Sequence, residues 1–310
     1  MKILFAGTTA HAAQVLKHLV SSKHEVVSVL TRKDAPVGRK SVITPSPVAA
    51  VATDLGLPVI KANQLGSEEN QLIADASPDL AIVIAYGALL PVSTISIPNH
   101  GWLNLHYSLL PQWRGAAPVQ HSILNGDKVT GVTIFRLDEG MDTGPILSQV
   151  PTEIQAGETS GDLLQRLTHI GISALDECLA LVESNLAVFK PQVGPTSIAR
   201  KLSRSDAKVD WSANSVAVEN LILAMNPEPM AWTLLANQPF RILSARASKV
   251  HGPELTAMEV GSVFNFNNRI MVSCGNETAL ELVKVQPSGK KEMTAGDWFR
   301  GLSGSVVFYG

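Results

Sequence analysis

"KILFAGTTAHAAQVLKHLVSSKHEVVSVLT", Lys2 to Thr31, decides the fold of this chain. Its first apolar run has no polar alternation, the mark of a strand buried on both faces. Gly7 then turns the chain, and Ala12, Val15, Leu16, Leu19 and Val20 recur at helical spacing. "HEVVSVLT" reads as a second strand. Strand, helix, strand is a βαβ unit. The turn "AGTTAHA" lacks the G-x-G-x-x-G that brings a backbone against a pyrophosphate, so Gly7 reads as a tight turn rather than a dinucleotide site.

Outward from that unit the alternation continues. "LPVIKA" reads as a short strand, "SEENQLIADA" as a helix opened by Ser67, and "LAIVIAYG" as a buried strand ending at Gly87. Such alternation predicts an α/β fold, a Rossmann-like, doubly wound parallel sheet with helices on both faces. Thr159 opens a long helix with Asp162 as its capping acid and an apolar stripe from Leu163 through Cys178 to Val182. Residues 190–207 then carry Pro191, Gly194 and Pro195 with little apolar periodicity, the composition of a linker. Beyond Trp211 come one helical pattern, "NSVAVENLILAM", and short runs separated by Gly and Asn, which predict a small β-barrel or sandwich. The expected division is a catalytic domain over 1–189, a linker over 190–207 and a C-terminal domain over 208–310. A chain of 310 residues exceeds what one hydrophobic core usually organises.

The composition, 45% hydrophobic and 17% charged, is that of a folded globular protein. A net charge of −2 argues against generic capture of nucleic acid, so any RNA contact must be local. The amino-terminal apolar run is too short for a signal peptide or a membrane span, and a cytoplasmic location without membrane attachment is expected. Cys178 and Cys274 lack metal-binding or disulfide spacing and read as buried thiols; no metal is expected.

Chemistry concentrates in "NLHYSLLPQWRGAAP", Asn104 to Pro118. Side chains alternate along a strand, so Asn104 and His106 leave one face while Leu103 and Leu105 leave the other. The strand falls late in the sheet and ends in a loop, where open α/β sheets bind ligands. The other seven histidines read as helix surface or turn. "RLDEGMDTGPIL", Arg136 to Leu147, follows an apolar strand and reads as an acid-bearing loop. Of its acids Asp142 is the best placed to reach His106, fixing its tautomer and stabilising an imidazolium.

On these residues the chain resembles the folate-dependent formyltransferases: "NLHYSLLPQWRGAAPVQ" and "MDTGPIL" match their signature. "KILFAGT", "VLTRKDAPVGRK", "TPSPV", "VIAYGALLP", "NPEPMAW" and "QPSGKKEM" fall in the order found in methionyl-tRNA formyltransferases. One departure is "GTTAHA", where the family usually shows Gly-Thr-Pro followed by an acid and an aromatic.

The resemblance implies transfer of a formyl group from 10-formyltetrahydrofolate to the α-amine of methionyl-initiator tRNA, with Asn104, His106 and Asp142 as catalytic residues. Asn104 would donate to the tetrahedral oxyanion. His106 has two open roles, a cation beside that oxyanion or a neutral base for the ammonium proton. Ser108, Leu109, Leu110 and Pro111, with Tyr86 and Gly87, are the expected folate-binding residues. Arg32, Lys33, Arg39 and Lys40 lie in a basic loop that in the family meets the tRNA acceptor end, where phosphate contacts position and an unpaired end discriminates. The C-terminal domain corresponds to the family's OB-like, tRNA-binding barrel, and a monomer without a stable protein partner is the family expectation.

Two rivals remain at this level. The same trio serves relatives whose acceptor is an amino sugar, glycinamide ribonucleotide or water. An RNA-binding module without catalysis would be expected to lack one of the three residues, and all three are present.

Overall fold

The computed structural model describes residues 1–38, 40–250, 255, 258–302 and 304–309. It contains two compact units. The first comprises Met1–Pro118, Val129–Glu153 and Leu164–Arg200, the second Val119–Lys128, Ile154–Leu163 and Lys201–Gly310.

In the first unit β1 (Lys2–Gly7), α1 (Ala10–Val20) and β2 (Glu25–Thr31) form the expected βαβ unit, with β1 and β2 parallel. Ile3, Leu4, Phe5 and Ala6 are all fully buried, which is why that strand carries no polar alternation. A two-stranded ribbon, β3 (Ala35–Val37) and β4 (Val42–Thr44), stands in the basic loop, antiparallel and largely exposed. Then come α2 (Pro47–Asp54), capped by Ser46 Oγ accepting from Ala49 N, β5 (Val59–Lys61), and α3 (Ser67–Asp75), where Glu69 accepts from Gly66 N.

The strand β6 (Leu80–Ile84) is shorter than the expected run to Gly87. Ala85 and Gly87 take positive φ values of 47° and 86°, which end extended backbone there. Tyr86 turns inward instead and donates its hydroxyl to Ala62 O at 2.7 Å. After α4 (Val92–Ile95) come β7 (Trp102–His106), the short β8 (Arg114–Gly115), α5 (Pro118–Leu124), which beyond Pro118 belongs to the second unit, β9 (Val129–Arg136), β10 (Ile146–Glu153), α6 (Ser160–Glu183), whose start through Leu163 also belongs to the second unit, and β11 (Ile198–Ala199).

The main sheet has the order β10-β9-β7-β6-β1-β2-β5. Its five strands from β7 to β5 are parallel, as the alternation predicts, whereas β9 is antiparallel to β7 and β10 to β9. The edge strand β10 alternates between half-buried and exposed residues, so it has none of the continuous apolar character that marks the central strands. Leu4, Leu30, Ile73, Val83 and Trp102 form part of one core of this unit. Cys178 is fully buried on α6.

The second unit holds α7 (Ser215–Met225), capped by Asn214, and the strands β12 (Trp232–Leu235), β13 (Gln238–Ala247), β14 (Ser262–Phe266), β15 (Arg269–Cys274), β16 (Thr278–Gln286), β17 (Met293–Thr294) and β18 (Val306–Val307). A short helix α8 (Ala295–Arg300) lies between the last two. The sheet runs β12-β13-β16-β15-β14-β18, all antiparallel. Leu234 and Tyr309 exchange backbone hydrogen bonds of 3.1 and 3.0 Å, which tie its two edges into a nearly closed barrel. Inside, Trp298 and Phe308 stack with ring centres 5.7 Å apart, and Phe240 packs 4.7 Å from Trp298. Cys274 is buried in the same core. Among the described residues no helix is long and apolar enough to cross a membrane.

Candidate active site

β7 lies between β6 and β9, with Asn104 level with Val83 and Phe135, and His106 level with Thr133. Two-residue periodicity puts Asn104 and His106 on one face of the sheet. The His106 side chain is only 6% exposed, its ring nearly perpendicular to that of Phe135. His106 Nε2 lies 2.9 Å from the carbonyl oxygen of Trp113. A carbonyl only accepts, so Nε2 carries the hydrogen and Nδ1 presents its lone pair when the ring is neutral.

That Nδ1 faces Asp142 Oδ2 at 3.8 Å, within reach of a charge but beyond a hydrogen bond. The sequence assigns both tautomer and charge compensation to Asp142; the geometry gives the tautomer to Trp113 O and leaves Asp142 as a nearby charge. Burial pushes the His106 pKa below its ordinary value, outweighing the Asp142 carboxylate and the Trp113 carbonyl, which raise it. The ring is therefore neutral near pH 7.

Asp142 sits in the loop between β9 and β10 with φ of 53°, a left-handed conformation that Asp tolerates. Its Oδ2 accepts from Gly115 N at 2.7 Å. Gly144 lets the loop close, because a Cβ there would lie 1.8 Å from Arg136 O. Asn104 is half-buried, and among the described residues its amide has no recorded hydrogen-bond partner.

The turn from Ser108 to Pro111 is mostly buried, Leu109 excepted. Ser108 Oγ donates to Gln112 O at 2.6 Å. Thr133 Oγ1 donates to Ser108 O and accepts from Leu110 N, and Gln149 Nε2 donates to Leu110 O. Tyr86 is buried, and Gly87 accepts through its carbonyl from the Arg32 guanidinium. Arg32 also donates to Asn63 Oδ1 at 2.9 Å, so this cation of the basic loop braces the end of β6. Lys33 and Lys40 are exposed, and Arg39 lies outside the described residues.

His11, expected at a helix surface, is half-buried with its ring edge-on to Tyr107 at 5.2 Å and a 3.0 Å hydrogen bond to Thr9 Oγ1. Burial pushes its pKa down to about 4. His18 is instead paired with Asp176 at 2.9 Å.

Sequence reasoning misses Trp113 O, Gly115 N and Thr133, whose contributions are backbone groups or a hydroxyl inside an apolar strand. It also misses Gln192, which donates to Asp142 O and Gly144 O. A cleft of about 480 Å³ opens at the other end of β7, lined by His100, Gly101, Arg136 and Phe189, and shares no lining residue with the His106 cluster. Among the described residues no group of three His, Cys, Asp or Glu is placed to hold a metal ion.

Residues 1–179 match the formyl transferase family model and 201–303 that of the formyl transferase C-terminal domain. The chain is 45% identical to the methionyl-tRNA formyltransferase of Renibacterium salmoninarum over 302 residues, 97% of each chain. It is also 45% identical to the methionyl-tRNA formyltransferase of an Arthrobacter species over 301 residues, again 97% of each. Among solved structures, an N-formyltransferase from Helicobacter canadensis, in complex with folinic acid and dTDP-3-aminofucose, superposes with a TM-score of 0.67 at 18% identity, over 93% of this chain and 99% of that one. HypX from Aquifex aeolicus, in complex with tetrahydrofolic acid, gives 0.65 at 15% identity over 96% of this chain and 47% of that one. Those two likenesses show the fold; the chain belongs to the formyl transferase family and, within it, to the methionyl-tRNA formyltransferases.

Proposed function

We propose that this protein transfers the formyl group of 10-formyltetrahydrofolate to the amino group of methionyl-initiator tRNA. The observation that carries the reading is the 45% identity to methionyl-tRNA formyltransferases over 97% of both chains. The arrangement of Asn104, His106 and Asp142 at the carboxyl end of β7 supplies matching chemistry.

In the reaction the amine nitrogen attacks the formyl carbon, an oxyanion forms, and the bond from that carbon to the folate nitrogen breaks. Asn104 donates an amide N–H hydrogen bond to the oxyanion; an amide with no partner among the described residues is free to do so. His106, neutral, takes the ammonium proton on Nδ1, the nitrogen left basic by the bond from Nε2 to Trp113 O. Asp142 stabilises the imidazolium so formed and is itself aimed by Gly115 N. The proton then passes to the departing folate nitrogen.

Leu109, the half-buried member of the Ser108–Pro111 turn, and the turn at Tyr86 and Gly87 are proposed to border the folate. Lys33, Arg39 and Lys40 are proposed to meet the acceptor end of the tRNA. The exposed ribbon of β3 and β4, with Val37, Val42 and Ile43 each more than half exposed, supports a contact there.

Incubation with 10-formyltetrahydrofolate and either methionyl-initiator tRNA or dTDP-3-aminofucose tests the reading. Formylated tRNA with no formylated sugar is expected; formyl transfer to the sugar alone would overturn it.

A further inference from the structure

The stretch 190–200 reads in the sequence as a connection, and most of it is exposed. Two of its side chains are half-buried, Gln192 and Ser197, and both are engaged beside the His106 and Asp142 pair. Gln192 Nε2 donates to Asp142 O at 2.8 Å and to Gly144 O at 2.9 Å. Its Oε1 accepts from Arg114 Nε at 3.2 Å and Arg114 Nη2 at 2.6 Å. Both amide hydrogens and both lone pairs of one carboxamide are thereby used.

Ser197 Oγ accepts from Trp113 N at 2.8 Å, and Ser197 O accepts from Arg114 N at 2.9 Å. β11 then pairs with β8, placing Gly115 beside Ala199. Gly115 has φ of 119°, and a Cβ on it would meet Ala199 O at 2.7 Å, so only glycine permits this approach. At its start the same stretch is pinned by Lys190, whose backbone exchanges hydrogen bonds of 2.7 and 2.8 Å with Ile146.

We propose that residues 190–199 form a strap that positions the reacting groups, with Gln192 the positioning residue for Asp142 and Ser197 that for the carbonyl orienting His106. The proposal rests on the reading of His106 and Asp142 as the catalytic pair. Asp142 is held at its carboxylate by Gly115 N and at its own carbonyl by Gln192, and both holds lead back to the strap. Neither side chain needs to touch substrate for this. A displacement of about 1 Å in a catalytic group costs on the order of 100-fold in rate, so a lost clamp is felt in turnover.

Glutamate at position 192 still accepts from Arg114 but offers no hydrogen to the two loop carbonyls, and so separates the two halves of the clamp. In the full chain, Gln192→Glu is expected to lower kcat for tRNA formylation about 10- to 100-fold with KM for the folate within about 2-fold. The Gly115 amide proton, shifted downfield by its carboxylate partner, moves upfield in the nuclear magnetic resonance spectrum and exchanges faster. Ser197→Ala removes one atom and leaves the loop carbonyls alone; it lowers kcat and displaces the acid limb of its pH profile, and Ser197→Thr restores both. Should Gln192→Glu fail to fold, the serine pair decides the proposal alone. Wild-type kcat in the Gln192 variant, or a fall in kcat with the Gly115 resonance unmoved, would overturn it. If the wild-type protein formylates no tRNA, the functional reading fails, while the Gly115 resonance still decides whether the strap aims Asp142.

Discussion

His11 makes stability depend on pH in a way that its position alone dictates. The ring is half-buried between Thr9 and the Tyr107 ring, it has no ion pair among the described residues, and burial takes its pKa from 6.5 to about 4. In the unfolded chain the imidazole returns to its ordinary value. Between those two values the unfolded state binds more protons than the folded one, so stability rises with pH across the window and is lost on acidification from about 6.5 to about 4. At about 1.4 kcal/mol per pH unit, the full difference comes to about 3 kcal/mol, an upper figure for a residue that keeps some contact with water. His106, also depressed, acts in the same direction, so His11 is isolated by comparison with His11→Gln, which has no such titration. Urea unfolding of both proteins at pH 7 and pH 4.5 is the assay. The wild type should lose about 2 to 3 kcal/mol more than the variant on going to the lower pH. Equal losses, or a His11 ring titrating near 6.5 by magnetic resonance, would refute the reasoning.

Asn104→Ala should lower kcat about 100- to 1000-fold while the melting temperature stays within ~2 °C, because among the described residues the amide makes no hydrogen bond that holds the fold. The acid limb of kcat should lie below pH 6.5, since His106 stays in its basic form until the medium is more acidic than its depressed pKa. Asp142→Asn removes a charge that raises that pKa, so the limb should move to still lower pH as kcat falls; a shift upward would contradict the assignment. Gly144→Ala forces a methyl group against Arg136 O and should cost on the order of 2 to 4 kcal/mol in urea unfolding, with turnover lost through the displaced Asp142 loop.

What could be read from the letters follows the physics of each signal. β1 and β6 are legible because burial on both faces demands a run without polar interruption, β7 because its apolar and polar residues alternate, and α6 because its stripe and its Thr159 and Asp162 cap obey fixed spacing. β10 lacks that signal, being an edge strand with one wet face, and the ribbon of β3 and β4 has almost no buried residue to pattern. Asn104 and His106 are legible as a pair because alternation along β7 is local. Their environment is not. The carbonyl of Trp113 and the amide of Gly115 belong to the backbone, which every residue carries, and their placement depends on a pairing with residues about 80 positions later in the chain. Gln192 sits between prolines and glycines whose composition is that of a tether; only its contacts distinguish it.

Cys178 and Cys274 are sealed in different units, and burial pushes each thiol up to about 12. Neither offers a thiolate at neutral pH, so a disulfide dye or an alkylating reagent reaches them only when the surrounding structure opens. The molecule therefore carries one silent reporter in each half: the rate at which each sulfur becomes labelled counts the openings of its own half, separately from the other and without any engineered probe.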